Sequence, residues 1–122
     1  MSAASPPEPL VTEIPQIPAD LLHWVAAFAD CPGLIFLDSA LTHATLGRYS
    51  FIAADPIHRV VAQGAHVAID GRPFSGSPFD ALAHLLDLYP VAARPGLPPF
   101  QTGLAGYFGY GLRHQVEDIA ID

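Results

Sequence analysis

Prolines limit the length of every helix and strand in this chain, which has 13 of them among 122 residues. Proline lacks a backbone N–H and clashes with the preceding helical turn, so it ends or kinks regular structure. Residues 1–18 contain five prolines and show little hydrophobic periodicity, which predicts an extended, proline-rich leader. The other prolines divide residues 19–122 into short elements that fit one domain, or a piece of one.

Two stretches have the spacing of helices. In residues 19–30, apolar side chains recur at helical spacing until Pro32 and Gly33 stop the pattern. In residues 77–89, Ser77 can cap a helix that has Pro78 at its first position and Asp80 as the acid of a capping box. The apolar residues of the first helix are Leu21, Trp24 or Val25, and Phe28; those expected on one face of the second are Phe79, Leu82, Leu86 and Tyr89.

The remaining apolar segments are typical of short strands. Residues 34–38 and 48–54 predict two strands, and residues 57–69, interrupted at Gly64, predict a hairpin. The pair Asp70-Gly71 is a strong signal for a second hairpin turn. Residues 100–112 alternate small and aromatic residues, which predicts a closely packed strand. Together with the helices, these strands indicate an α+β fold built on an antiparallel sheet with hairpins.

Composition excludes several kinds of partner. The formal net charge is −7 and all five basic residues are arginines, so no basic run is available to bind nucleic acid. The N-terminus lacks the features of a secretory signal, and no apolar stretch is long enough for a membrane span, which predicts a cytoplasmic protein. Cys31 is the single cysteine, so no internal disulfide can form.

Common catalytic and metal-binding patterns are also missing from the sequence. The glycines of residues 103–111 fit neither dinucleotide nor P-loop spacing. The six histidines show no local spacing typical of a zinc site. No serine lies in a nucleophile-elbow motif, and Cys31, at a helix end before proline, is expected to be a structural free thiol. We therefore predict no catalytic residue, no metal site and no cofactor in this chain.

One pair of segments does suggest a binding site. A buried strand that ends at Asp38-Ser39, facing a strand that starts at Gly47, Arg48 and Tyr49, brings together a hydroxyl, a fixed positive charge and an aromatic ring. These groups suit an amphipathic zwitterion with an apolar body. The alternative is that Arg48 forms an ion pair with Asp38 or Asp55 and that Tyr49 is a core residue.

Three motifs give the chain a family resemblance. "FLDSA" at 36–40, "GRYSFIAADP" at 47–56 and "PFQTGLAGYFGYGL" at 99–112 resemble, in order and spacing, the N-terminal region of chorismate-utilising enzymes. That family includes aminodeoxychorismate synthase component I and anthranilate synthase component I. The resemblance implies that residues 19–122 are part of the family's N-terminal α+β domain and that the chain ends before the catalytic chorismate-binding domain.

The resemblance also implies a ligand and partners. The family's N-terminal domain is non-catalytic and holds tryptophan, either as feedback inhibitor or as a structural ligand. Carried over by position, the ligand-binding residues are Ser39, Leu46, Gly47, Arg48 and Tyr49. Magnesium, the chorismate pocket and a lysine that some members use as a nucleophile belong to the C-terminal part, and this chain contains no lysine. A glutaminase subunit is the expected partner of the whole enzyme.

The motifs favour aminodeoxychorismate synthase component I, which aminates chorismate to 4-amino-4-deoxychorismate for folate biosynthesis. On this interpretation the 122-residue chain alone is inactive. Three alternatives remain: anthranilate synthase component I, a stand-alone amino-acid-binding module, and a structural half-domain with no ligand.

Overall fold

The computed structural model describes residues 5–15, 21–40, 43 and 46–117. The described chain is α+β, as the sequence predicts, and its strands form two antiparallel sheets, β1-β2 and β3-β4-β5. The elements in chain order are α1 (Leu21–Ala27), β1 (Ile35–Leu37), β2 (Phe51–Ala53), β3 (Val60–Gln63), β4 (His66–Ile69), β5 (Arg72–Pro73), α2 (Pro78–Leu88) and a 3-10 helix (Tyr110–Gln115).

The chain divides into two compact units. The first unit comprises residues within 1–56 and 90–103, and the second comprises residues within 57–89 and 104–122. The first therefore contains α1 and the β1-β2 sheet, and the second contains the β3-β4-β5 sheet, α2 and the 3-10 helix. The prediction that residues 1–18 are a leader and residues 19–122 one partial domain stays a prediction.

In the first unit, β1 and β2 pair with Phe36 opposite Ile52. The predicted first helix is confirmed over α1, and the chain then turns, with the Cys31 amide donating to the Phe28 carbonyl. Gly33 has a φ of +64°, which an L side chain rarely adopts, and it lets the chain turn into β1. The Asp55 amide donates to the Pro32 carbonyl at 2.8 Å and so joins the far end of β2 to this turn.

In the second unit, both predicted hairpins are present. Gln63 pairs with His66 across the first turn, and Ile69 pairs with Arg72 across the second. Asp70 and Gly71 both have positive φ, 52° and 75°, as a type I′ turn requires. The Asp-Gly dipeptide therefore favours this hairpin through its local backbone preference.

The predicted start of α2 is also confirmed. Ser77 accepts a hydrogen bond from the Asp80 amide, the Asp80 carboxylate accepts one from the Ser77 amide, and Pro78 follows the cap. The Ser77 hydroxyl and amide lower the pKa of Asp80, because both donate to its carboxylate. With 11 residues α2 is the longest described helix, and within the described ranges no helix could cross a membrane.

The apolar face predicted for α2 is wrong. The helix packs on β3 and β4 and buries Pro78, Ala81 and Leu85. Together with Val67 of β4, these are the buried residues in the described part of this unit. Of the four predicted face residues, three are exposed by 40% or more (Phe79, Leu86 and Tyr89). The stripe that α2 turns to the sheet is therefore that of Pro78, Ala81 and Leu85, in which Ala81 is 0% exposed.

Hydrogen bonds among three side chains, Asp70, His58 and Tyr89, connect the second hairpin turn to the end of α2. His58 Nδ1 lies 2.7 Å from Asp70 Oδ2, and His58 Nε2 lies 2.8 Å from the Tyr89 hydroxyl. Asp70 also accepts a hydrogen bond from the Arg59 amide at 2.8 Å. The hydrogen bond with His58, followed by that from Arg59, lowers the pKa of Asp70.

The predicted strand over residues 100–112 is wrong. Residues 104–109 are not part of any strand, and the 3-10 helix begins at Tyr110. A Cβ at Gly106, Gly109 or Gly111 would meet no atom of the described residues within 4 Å, so no backbone layer of the described chain packs against these glycines. A strand needs a partner for its backbone groups, and the described residues offer none here.

Candidate functional site

The candidate site lies where β1 and β2 leave their sheet. Leu37 is opposite Phe51, so continuing the register places Asp38 opposite Ser50 and Ser39 opposite Tyr49. We call Asp38, Ser39 and residues 46–50 the edge site. Its two segments belong to the first unit, and they are the two motifs that the sequence predicts to face each other.

Side chains, rather than a backbone ladder, join the two segments of the edge site. The Ser39 hydroxyl donates to the Tyr49 carbonyl at 2.6 Å, and the Ser39 amide donates to the Ser50 hydroxyl oxygen at 3.1 Å. Ser50 in turn donates to Asp38 Oδ1 at 2.9 Å. Because the proton of the Ser39 hydroxyl is committed to the backbone, its oxygen can serve a ligand only as an acceptor.

Arg48 is an exposed cation at this edge. Its guanidinium carbon lies 5.1 Å from the centroid of the Tyr49 ring, within the range of a cation–π contact. The ion pairs recorded among the described residues, His58–Asp70 and Glu8–Arg94, do not include Arg48. Asp38 is bonded to Ser50 instead. In the described part of the chain, the alternative of an Arg48 ion pair with Asp38 or Asp55 is therefore not observed.

An aromatic row continues from the edge site into the first unit. The Tyr49 and Phe51 rings lie 6.1 Å apart, as expected for residues two positions apart in extended chain, which share a face. Phe100 meets Phe51 edge to face, with 5.6 Å between centroids and 87° between planes. All three rings are half-buried, so they offer an apolar wall next to the Arg48 cation.

Gly47 and Leu46 shape the backbone that leads to Arg48. Gly47 has a φ of +69°, a conformation that glycine adopts at little cost. The Leu46 amide donates to His43 Nδ1 at 3.1 Å, whereas the Leu46 side chain is 68% exposed. Of the five predicted site residues, the structure thus brings together Ser39, Arg48 and Tyr49. Gly47 provides the positive-φ backbone immediately before Arg48, and the Leu46 side chain is exposed.

Sequence reasoning missed two residues of this arrangement. Ser50 supplies two of the hydrogen bonds across the edge, and Phe100 closes the aromatic row. The strand register could have identified Ser50. Ser50 immediately precedes β2, and one further step of the β1-β2 pairing places it opposite Asp38. No local signal placed Phe100, since its contact with Phe51 spans 49 positions of sequence.

The described residues do not fit a magnesium site. No group of three histidine, cysteine, aspartate or glutamate side chains lies close enough within residues 5–15, 21–40, 43 and 46–117 to hold a metal ion. Magnesium binds through several oxygen ligands, and the described residues do not bring enough of them together to hold it.

The edge site belongs to a chain with clear relatives. The chain is 37% identical over 102 residues to anthranilate synthase component 1 of Mycolicibacterium smegmatis, a match that covers 77% of this chain and 20% of that protein. The protein of the same name from Mycobacterium tuberculosis strain H37Rv is 35% identical over 97 residues, covering 73% and 19%. The one from Neisseria gonorrhoeae is 32% identical over 97 residues, covering 75% and 20%.

The chain therefore spans about a fifth of the length of the curated relatives that it matches. No protein-family profile matches it, and no solved structure does either.

Proposed function

Because this chain belongs to the chorismate-utilising enzyme family and matches the N-terminal region of its relatives, we propose that it is the amino-acid-holding N-terminal part of such an enzyme. The observation that carries the proposal is the bond between the Ser39 hydroxyl and the Tyr49 carbonyl, which joins the two family motifs into one site. The ligand proposed for this site is L-tryptophan or a similar aromatic amino acid.

The groups of the edge site complement a free amino acid. Arg48 is exposed and is not in a recorded ion pair, so its guanidinium can bind the ligand carboxylate. The Ser39 oxygen has lone pairs left to accept from the ligand ammonium. Tyr49 and the rings behind it provide an apolar surface for an aromatic side chain.

The reaction of the whole enzyme is proposed to be amination of chorismate. The relatives named above carry the name anthranilate synthase component 1, which favours anthranilate as the product. The aminodeoxychorismate synthase assignment, which the motifs suggested, stays a prediction. In either case the magnesium site, the chorismate pocket and the contact with a glutaminase subunit are proposed to lie outside this chain, which would be inactive alone.

Thermal unfolding with and without L-tryptophan tests the binding role. A ligand at about 100 times its dissociation constant stabilises the native state by about 2.7 kcal/mol, which shifts a midpoint by several degrees at this size. We expect this shift with L-tryptophan, a smaller one with L-phenylalanine, and none with Arg48→Ala. Arg59→Ala is the matched control, because Arg59 is an exposed arginine of the second unit.

An equal shift in Arg48→Ala and wild type would show that the edge site is not where tryptophan binds. No shift in any variant would remove the amino-acid-binding role and favour a structural half-domain.

A chimera separates the two enzyme assignments. This chain would replace the matching region of the M. smegmatis anthranilate synthase component 1, and anthranilate formation would be measured against L-tryptophan concentration. An anthranilate synthase region should give a chimera that tryptophan inhibits. An active chimera that tryptophan leaves unaffected, although the thermal experiment shows binding, would instead support the aminodeoxychorismate type.

A further inference from the structure

The leader of the first unit is attached to a distant segment of the same unit. The Ala92 amide donates to the Pro7 carbonyl at 2.9 Å, and Arg94 Nε lies 3.6 Å from Glu8 Oε2. We call residues 7–8 with their contacts to Ala92 and Arg94 the leader strap. Two adjacent leader residues thus bind two residues of the proline-rich connection that follows α2.

A side-chain clamp carries this attachment to Phe100. Gln101 accepts a hydrogen bond from the Arg94 amide at 2.8 Å and donates one to the Arg94 carbonyl at 2.9 Å. These two bonds close residues 94–101 into a loop that contains three prolines, which restrict its backbone. Phe100 is the residue next to the clamp, so its position depends on the position of Arg94.

Phe100 in turn supports the wall of the edge site. It packs edge to face on Phe51, whose ring lies 6.1 Å from that of Tyr49. The Tyr49 ring forms the cation–π contact with the Arg48 guanidinium, and the Tyr49 carbonyl accepts the hydrogen bond from the Ser39 hydroxyl. Non-covalent contacts therefore lead from Glu8 to Gln101 and from Phe100 to Arg48, and the peptide bond between Phe100 and Gln101 joins the two series within the first unit.

We infer that the leader strap and the Gln101 clamp position the aromatic wall of the edge site and thereby set its affinity for a ligand. The ligand part of this inference rests on the proposed function. Glu8, Arg94 and Gln101 are positioning residues, since none of them touches the edge site itself. The Glu8–Arg94 ion pair is exposed and weak, so most of the effect passes through the Pro7 carbonyl and the Gln101 bonds.

The test uses the full 122-residue chain with Gln101→Ala and, separately, with residues 2–10 deleted. Glu13→Ala is the control, because Glu13 is an exposed leader residue outside the strap. The first readout needs no ligand: nuclear Overhauser contacts between the Phe51 and Phe100 rings and hydrogen exchange of the β1-β2 amides. The second is the dissociation constant for L-tryptophan.

Loss of one or two hydrogen bonds should weaken the ring contacts and speed β1-β2 exchange by about two- to tenfold. The dissociation constant should rise by a similar factor, whereas exchange of the β4 amides should stay unchanged and show that the second unit is folded. Unchanged ring contacts and exchange in both variants would overturn the inference. If wild type fails to bind tryptophan, the proposed ligand fails, and the ligand-free readout still decides whether the strap positions the wall.

Discussion

Different interactions stabilise the fold within each of the two units of this protein. In the second unit, a type I′ turn, a capping box and the buried residues Val67, Ala81 and Leu85 fix the fold. In the first unit, no described side chain is buried, and the edge site is held by hydrogen bonds that half-buried or exposed side chains form with the backbone and with one another. Binding sites are often drawn from the less stable parts of a fold. The second unit is therefore expected to have the higher free energy of unfolding, and the first unit is expected to be the one that a bound ligand stabilises.

The largest expected effect is on the core of the second unit. Leu85→Ala should lower the free energy of opening of the β4 amides by about 2–3 kcal/mol, because Leu85 is 5% exposed and its removal leaves a cavity. Leu86→Ala is the matched control, because Leu86 is 50% exposed and should cost below about 1 kcal/mol. Native-state hydrogen exchange measures both. Equal losses would mean that Leu85 is not the core residue.

A glycine of the first unit should give the next largest effect. Gly33→Ala places a Cβ 2.9 Å from the Pro56 ring at a φ of +64° and should cost about 2 kcal/mol. Gly64→Ala has a similar φ, +57°, but meets no atom within 4 Å, so it carries the backbone cost alone, about 1 kcal/mol. Exchange of the Asp55 amide reports the first change, and exchange of the β4 amides reports the second. A larger loss at Gly64 would contradict the close approach of Pro56.

The helix cap should matter less. Ser77→Ala removes the hydroxyl that accepts from the Asp80 amide and should destabilise α2 by about 1 kcal/mol. Ser75→Ala is the control, because Ser75 is exposed and outside the capping box. Helix content and exchange of the first α2 amides check the difference, and identical behaviour of the two variants would rule out a contribution from the cap.

The smallest expected effect is on pH dependence. The pKa of Asp70 is lowered in the folded state, so its stabilisation is present above the ordinary value of 3.8 and is lost as the pH falls through the folded value. Asp70→Asn should therefore flatten the loss of second-unit stability as the pH falls below about 5, while the part due to Asp80 remains. Urea titrations at several pH values measure this slope, and an unchanged slope would contradict the role of the His58–Asp70 pair.

Local sequence signals were sufficient for the parts that local chemistry determines. The Asp70-Gly71 turn and the Ser77 cap each depend on a few adjacent residues, and both are confirmed. The face of α2 was wrong because a helical period identifies several apolar stripes, and packing decides which of them is buried. In this chain the buried stripe is that of Pro78, Ala81 and Leu85.

The segment of residues 100–112 shows a different limit. Its alternating pattern is typical of a strand, yet strand formation depends on a partner, and the described chain provides none. The edge site was predictable in part, since two adjacent motifs identified Ser39, Arg48 and Tyr49 as neighbours. Phe100 and the leader strap were not, because their contacts join positions far apart in the sequence and have no local signature.

Hydrogen exchange of the whole chain, followed by mass spectrometry with and without L-tryptophan, tests the central claim most directly. We expect slow exchange in β3, β4 and α2 that the ligand does not change, and faster exchange in residues 35–40 and 46–53 that the ligand slows. Ligand protection confined to residues 57–89, or no protection at saturating tryptophan, would contradict the assignment of the binding role to the edge site.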